Sequence, residues 1–405
     1  MISIKPSVVI GELAAPPSKS MTQRAYAAAY LAAEQGSPSC KIIDPSYCAD
    51  AKVALNITKM LSGSDIDIVQ LDCGEAGLSL RMFAPIAALT GKEIILNAKG
   101  SLLERPVNMM ERPLKELGVH CKTHNGFPPV VVTGPMKAGN IELDGSVTSQ
   151  FLTGLLMALP CVDGISKIKV HNLKSKPYIE MTLQLLKSFG IKIEHNASLD
   201  EFVIKGPQKY FSERYWVEGD WSGAAFFLVA GAITGHAEVM NLSYSKSFQA
   251  DKKILDVLKL CGAKIIEHKD AVEVLKSKLT AFEFDATECP DLFPPLVALA
   301  MNCKGTSIIT GADRLKHKES NRTLVIFEEF TKIGAKIDIN SDDIKIVGDS
   351  IKGGEIDPRN DHRIAMAAAI AGLNSELGVK IKSEQCVNKS YPNFFTELKR
   401  LTSNE

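Results

Sequence analysis

At 405 residues the chain is longer than one hydrophobic core usually supports and suits two domains of about 200 residues each. Hydrophobic residues make up 45% and charged residues 23%, which excludes a disordered chain. Lys and Arg number 47 against 47 Asp and Glu, which argues against a protein that grips nucleic acid by bulk charge; an anionic partner has to be held by a local basic cluster.

The most apolar runs, 151–162 and 221–234, fall well short of the roughly 20 residues that span a bilayer, so no membrane partner is expected. The N-terminus, MISIKPSVVIGELAAPPSKS, has no continuous apolar stretch before a small-residue cleavage site, and no signal peptide is read there. Nine irregularly spaced cysteines without a CxxC pair suit a reduced cytoplasmic protein with mostly inert thiols.

In chain order, the first Ala-rich helix begins near Ser20 and the next near Leu78, with EIILNA after it as a strand. LKELGVH ends a helix at Gly118 and is followed by the strand FPPVVVTG. A third apolar helix starts near Ser149, the strand KIKVHNL follows, and LKSFGIKI ends a helix at Gly190. The pattern returns with helix starts near Ser222, Leu292 and Arg363, helix stops at Gly262 and Gly334, and strands SIITGAD and DDIKIVG. The four stop glycines are 72 residues apart each time, and the helix starts are 58, 71, 73, 70 and 71 apart. Glycine at a helix stop takes the left-handed conformation without a Cβ clash. A fixed period means duplicated units: six α/β units of about 70 residues, three in each of two domains. Helices such as AAFFLVAGAI and IAMAAAIAG, apolar on nearly every side, belong inside. The glycine-stopped helices are more amphipathic and should be half exposed, with mixed sheets around the buried ones.

The unusual polar residues cluster at helix starts. Pro16-Pro17-Ser18-Lys19-Ser20, Glu75-Ala76-Gly77, Glu104-Arg105-Pro106, Thr148-Ser149-Gln150, Ser175-Lys176-Pro177-Tyr178, Asp291, the stretch from Arg314 to Arg322, and Asp361-His362-Arg363 each precede or open one. Taken singly, Ser20, Thr148, Ser149, Ser175 and Asp291 are ordinary N-caps. Lys19 and Arg105 read as solvated charges, Glu319 as a first-turn carboxylate and His362 as a surface histidine. Recurrent cations at helix starts are not explained that way. They oppose the helix dipole and cost stability unless an anion is bound. The pattern points to an electropositive pocket for phosphate and carboxylate groups. Phosphate-loop and dinucleotide motifs are absent, as is HExxH. His120 and His124 make a poor metal pair, and no cysteine sits in an activating loop.

At this point the chain resembles the enolpyruvyl transferase family, in its shikimate-pathway branch. The resembling stretches are SKSMTQRA at 18–25, ERP at 104–106, DGSVTSQFLTGLLM at 144–157, SKPYIEMTL at 175–183 and VEGD at 217–220. They continue with PD at 290–291, KHKESNR at 316–322, NDHRIAM at 360–366 and NKSYPNFF at 388–395. The resemblance implies a two-domain inside-out α/β barrel, each domain of three βαβαββ units. It implies domains of 15–217 and of 1–14 with 218–405, crossovers near 14–17 and 217–220, and an active site in the interdomain cleft.

It further implies transfer of the carboxyvinyl group of phosphoenolpyruvate to the 5-hydroxyl of shikimate 3-phosphate, with phosphate released and no metal or organic cofactor. A monomer acting on these small molecules, in the cytoplasm, is the expectation. Carried over by position, Lys19 would touch both substrates, and Ser20 and Arg24 would hold the shikimate carboxylate. Thr148, Ser149 and Ser175 would take its 3-phosphate with Lys318, beside Tyr178 and Arg314. Gln150 would sit between the substrates. Gly77, Arg105, Arg322, Arg363 and Lys389 would bind phosphoenolpyruvate. Asp291 would be the base, Glu319 the main proton donor, and Lys19 and His362 its helpers. Where the family loop usually reads Asn-Ala-Gly-Thr, this chain has Glu75-Ala76-Gly77-Leu78, and Glu75 is expected to face Arg81 or another cation. Two rivals are a sister enzyme acting on UDP-N-acetylglucosamine, which carries a Lys-Asn pair where this chain has Lys19-Ser20, and a non-catalytic binder of a phosphorylated metabolite.

Overall fold

A computed structural model describes residues 1–63, 66–316 and 318–402; His317, inside the KHKESNR stretch, lies outside them. The chain forms two compact units, one of Ser18–Val217 and one of Met1–Pro17 with Glu218–Glu405.

In the first unit the strands Ile68–Asp72, Glu93–Asn97, Phe127–Thr133 and His120–His124 lie side by side in that order. The first pair is parallel and the rest antiparallel. Asn140–Asp144, Gly164–His171, Glu201–Gly206 and Glu194–His195 repeat the arrangement. Lys41–Ile43 and Arg214–Trp216 make a small parallel pair. The second unit uses the same design twice. Ile10–Ala14 pairs in parallel with His236–Met240, which leads antiparallel to Ala271–Leu275 and Lys264–Glu267. Glu283–Asp285, Gly305–Thr310, Asp343–Gly348 and Lys336–Asn340 follow suit. Its third sheet joins Ile2–Ile4, Val379–Ile381 and Gly354–Ile356.

Parallel neighbours need a crossover, and the apolar helices supply it. Gly77–Ala87, Gln150–Ala158, Trp221–Thr234, Phe293–Ala300 and His362–Leu373 each run just before the second strand of a parallel pair. They begin within about one residue of the starts expected from the alanine and leucine runs. Every residue of Gly77–Ala87, Phe293–Ala300 and His362–Leu373 is buried. In Asn140–Asp144 and Ile68–Asp72 burial alternates residue by residue, so these sheets cover the helices with one face and show the other to solvent. The helices therefore lie inside and the sheets outside. Gly154 lets two helices meet: a Cβ there would stand 2.5 Å from the Met82 carbonyl oxygen and 2.6 Å from Pro85.

The periodic glycines end Glu111–Glu116, Lys176–Ser188, Ile254–Leu260 and Arg322–Lys332 alike. Their φ values are 78°, 80°, 85° and 102°. In each, the amide after the glycine returns to the helix: Val119 to Leu114, Ile191 to Leu186, Ala263 to Leu258 and Ala335 to Phe330, at 2.8–3.1 Å. This is one left-handed cap built four times, with orphan carbonyls satisfied by the same bond.

Candidate active site

In the unit of Met1–Pro17 and Glu218–Glu405 the polar residues gather around Arg322, the first residue of Arg322–Lys332 and fully buried. Asn321 caps this helix by accepting from the Leu324 amide at 3.3 Å. Three carboxylates surround the Arg322 guanidinium. Nε donates to Asp361 Oδ2 at 2.8 Å, Nη1 to Asp291 Oδ1 at 2.8 Å and Nη2 to Glu319 Oε2 at 2.7 Å. Asp361 is buried and caps His362–Leu373 by accepting from the Arg363 amide at 3.0 Å. It also accepts from the Ser320 hydroxyl at 3.0 Å.

Asp291 does not cap a helix. It lies in the short turn Pro290–Leu292 and accepts from Arg363 Nη2 at 3.0 Å and Lys318 Nζ at 3.4 Å besides Arg322. Burial pushes its carboxyl upward, but Arg363, Lys318 and Arg322 outweigh that and hold it well below the usual carboxylate range. Burial draws the Lys318 ammonium below its ordinary value even beside Asp291. For Arg322 the three carboxylates outweigh burial and raise its affinity for its proton. These are fixed charges in a partly dry setting, where electrostatic interactions are strong.

His362 is 1% exposed, so the surface reading fails; its Nδ1 lies 4.0 Å from Asp361 Oδ1. Glu319 precedes the helix and keeps 16% of its side chain exposed. Lys389 Nζ donates to the Asn360 carbonyl at 3.0 Å. Arg314 lies in the turn Ala312–Leu315.

Asp251, which the sequence did not single out, is 1% exposed and accepts from the Ser222 hydroxyl. Its Oδ1 has no hydrogen-bond partner among the described residues. Burial, then the negative Asp291, pushes its carboxyl up to about 7.

In the unit Ser18–Val217 the cations have different company. Arg24 is 1% exposed and touches neutral oxygens: Thr182 Oγ1 at 3.0 Å, the Ser20 carbonyl at 2.9 Å, the Tyr178 carbonyl at 3.3 Å and Thr153 Oγ1 at 3.5 Å. Burial lowers its guanidinium to about 10. Lys19 Nζ pairs with Asp50 Oδ2 at 3.0 Å, and Gln23 donates to the Asp50 carbonyl.

A second group surrounds Gly77. A Cβ at Gly77 would stand 2.9 Å from Arg105 Nη1 and 3.1 Å from Arg81 Nη1. Arg81 donates to Gln150 Oε1 and the Pro106 carbonyl, both at 2.9 Å. Arg105 is only 8% exposed, and its Nε has no hydrogen-bond partner among the described residues. Two guanidinium groups against a helix N-terminus repel each other and the dipole unless an anion is added. Arg81 escaped the sequence reading as a site residue, although its place one turn after Gly77 on the same helix face was a usable signal.

The expected caps are largely something else. Ser18, not Ser20, caps Lys19–Glu34, accepting from the Met21 amide at 3.4 Å. Ser149 and Ser175 stand at N-cap positions without making a capping bond, and Ser175 has a left-handed backbone with φ of 58°. Thr148 accepts from the Gln150 amide at 3.2 Å. Glu75 accepts from the Ser101 hydroxyl at 3.1 Å and lies against Gly100.

The family model of EPSP synthase (3-phosphoshikimate 1-carboxyvinyltransferase) matches residues 4–398. The chain belongs to the EPSP synthase family. A 3-phosphoshikimate 1-carboxyvinyltransferase of Clostridium novyi (strain NT) is 38% identical, the match covering 99% of this chain and 97% of that one. One from Brachyspira hyodysenteriae is 34% identical, over 99% and 98%. An EPSP synthase structure from Acinetobacter baumannii shares the fold at TM-score 0.80, with 23% identity over 99% of this chain and 97% of that one. EPSP synthase family membership thus accounts for nearly the whole chain, both units included.

Proposed function

We propose that the two constellations divide the work of enolpyruvyl transfer, the residues of Ser18–Val217 mainly holding anions and those around Arg322 mainly arranging the reacting atoms. The chain moves the carboxyvinyl group of phosphoenolpyruvate to the 5-hydroxyl of shikimate 3-phosphate and releases phosphate, in the shikimate pathway to chorismate and the aromatic amino acids. In the addition step the 5-oxygen bonds to C2 of phosphoenolpyruvate while C3 gains a proton, giving a tetrahedral intermediate. In the elimination step the C2–O bond to phosphate breaks and the C3 methyl returns a proton.

Arg24, with Ser20, holds the shikimate carboxylate, and Thr148, Ser149 and Ser175 take the 3-phosphate with Lys318; Tyr178, Gln150 and Arg314 line the same substrate. Arg105 and Gly77, joined by Arg81, take phosphoenolpyruvate, with Arg322, Arg363 and Lys389 contributing cations. Asp291, kept ionised by three cations, accepts the 5-hydroxyl and aims its oxygen at C2. Glu319 delivers the proton to C3, helped by Lys19 and His362. The observation that carries this reading is the pair Arg24 and Arg105: buried cations lacking carboxylate partners among the described residues ask for an anion. We further read the chain as a cytoplasmic monomer; no described helix is long and apolar enough to cross a membrane.

The test is phosphate release from phosphoenolpyruvate in the presence and absence of shikimate 3-phosphate. Release that requires both is expected. A folded protein that binds shikimate 3-phosphate and releases no phosphate contradicts the reading and favours a non-catalytic binder.

A further inference from the structure

Helix Arg322–Lys332 carries a buried carboxylate of its own, away from the cluster around Arg322. Glu329 lies seven residues after Arg322, hence two turns along the same face, and is 2% exposed. Its Oε2 accepts from the Asp357 amide at 3.0 Å. Its Oε1 accepts from Lys332 Nζ at 2.7 Å and Arg359 Nη2 at 3.4 Å. Arg359 also pairs with Glu328, and its amide donates to Asp357 Oδ1 at 2.9 Å.

The loop held this way is strained. Arg359 and Asn360 are consecutive non-glycine residues with φ of 48° and 60°. The Asp361 amide closes the turn on the Pro358 carbonyl at 2.9 Å. Such backbone persists only where its surroundings over-determine it. Here one helix grips the loop twice, through Arg322 on Asp361 and through Glu329 on Asp357 and Arg359. The loop leads directly into His362 and Arg363, and its Asn360 carbonyl takes the Lys389 ammonium.

We propose that Glu329 is a positioning residue for phosphoenolpyruvate: by clamping residues 357–360 it fixes the left-handed turn that places Arg363 and Lys389. This rests on the assignment of Arg363 and Lys389 to that substrate. Without the carboxylate, the Asp357 amide and the Arg359 guanidinium lose a shared anchor. The turn then relaxes toward ordinary backbone, and the Asn360 carbonyl leaves the Lys389 ammonium.

The experiment is steady-state phosphate release by Glu329→Ala, Glu329→Gln and Arg363→Ala, with each substrate varied in turn. Glu329→Ala should raise the KM for phosphoenolpyruvate about tenfold and leave that for shikimate 3-phosphate within about twofold, the scale of a small misplacement of binding groups. Glu329→Gln keeps an acceptor for the Asp357 amide and should recover most of the affinity. A merely structural role would lower the amount of folded enzyme and hence apparent kcat, without moving KM for one substrate. An unchanged KM for phosphoenolpyruvate in Glu329→Ala, or an equal rise for both substrates, overturns the inference. If Arg363→Ala also leaves that KM unchanged, it is the site assignment that fails. Should Glu329→Ala not fold, Arg359→Ala removes one of the clamped groups and should show the same one-sided rise, about threefold; no rise there overturns the inference equally.

Discussion

Arg24 and Arg322 are both buried guanidinium groups, one in each unit, and they differ in everything around them. Arg24 is wrapped in hydroxyl and carbonyl oxygens, and burial lowers it to about 10. Arg322 meets Asp291, Glu319 and Asp361 and is raised. The first has no carboxylate partner among the described residues. The second holds three carboxylates in place, and in the proposed reading it also faces phosphoenolpyruvate. In the proposed reading one kind of buried arginine makes a receptor for anions, and the other builds a frame for acid–base groups.

The largest effects should come from that frame. Glu319→Gln and Asp291→Asn are expected to lower kcat by about 10²–10⁴, the usual weight of a general acid or base, while KM for shikimate 3-phosphate moves little. Steady-state phosphate release checks this, and near-normal kcat in either variant removes the residue from the chemistry. Next in size, Arg105→Ala should raise KM for phosphoenolpyruvate about tenfold or more through loss of a charge-assisted contact. An unchanged value would place Arg105 outside the receptor.

A separate effect concerns stability. Asp251 holds its proton up to about 7 in the folded chain against an ordinary value of 3.8. Between those pH values the folded chain binds the extra proton, so this residue's contribution to stability is full below 3.8 and is lost as pH rises through 7. Asp251→Asn has no proton to lose. Its stability relative to wild type should improve from pH 4 to pH 8, by up to about 4 kcal/mol. Thermal melts of both proteins across that range measure it, and parallel profiles would show that Asp251 ionises normally.

The buried helices were visible in the sequence because a run such as AAFFLVAGAI has no polar face to leave in water. The repeated caps were visible because glycine is the cheapest residue at φ near 80°. The cations at helix starts were visible as a conflict with the dipole. Their partners were not. Nothing local to Arg322 says that Asp361, 39 residues on, takes its Nε, or that Ile2–Ile4 pairs with Val379–Ile381. Asp50, Asp251 and Glu329 carry no motif of their own; their roles come from burial and from groups brought to them by the fold. The N-cap reading of Ser149 and Ser175 was sound from residue type alone, yet neither hydroxyl caps its helix.

Calorimetric titration of shikimate 3-phosphate into Arg24→Gln and into Glu319→Gln tests the division between receptor and frame most directly. The account predicts that Arg24→Gln loses about a hundredfold in affinity, as expected for a buried charge-assisted contact, while Glu319→Gln keeps Kd within about twofold. Equal losses in both, or tight binding by Arg24→Gln, would contradict it.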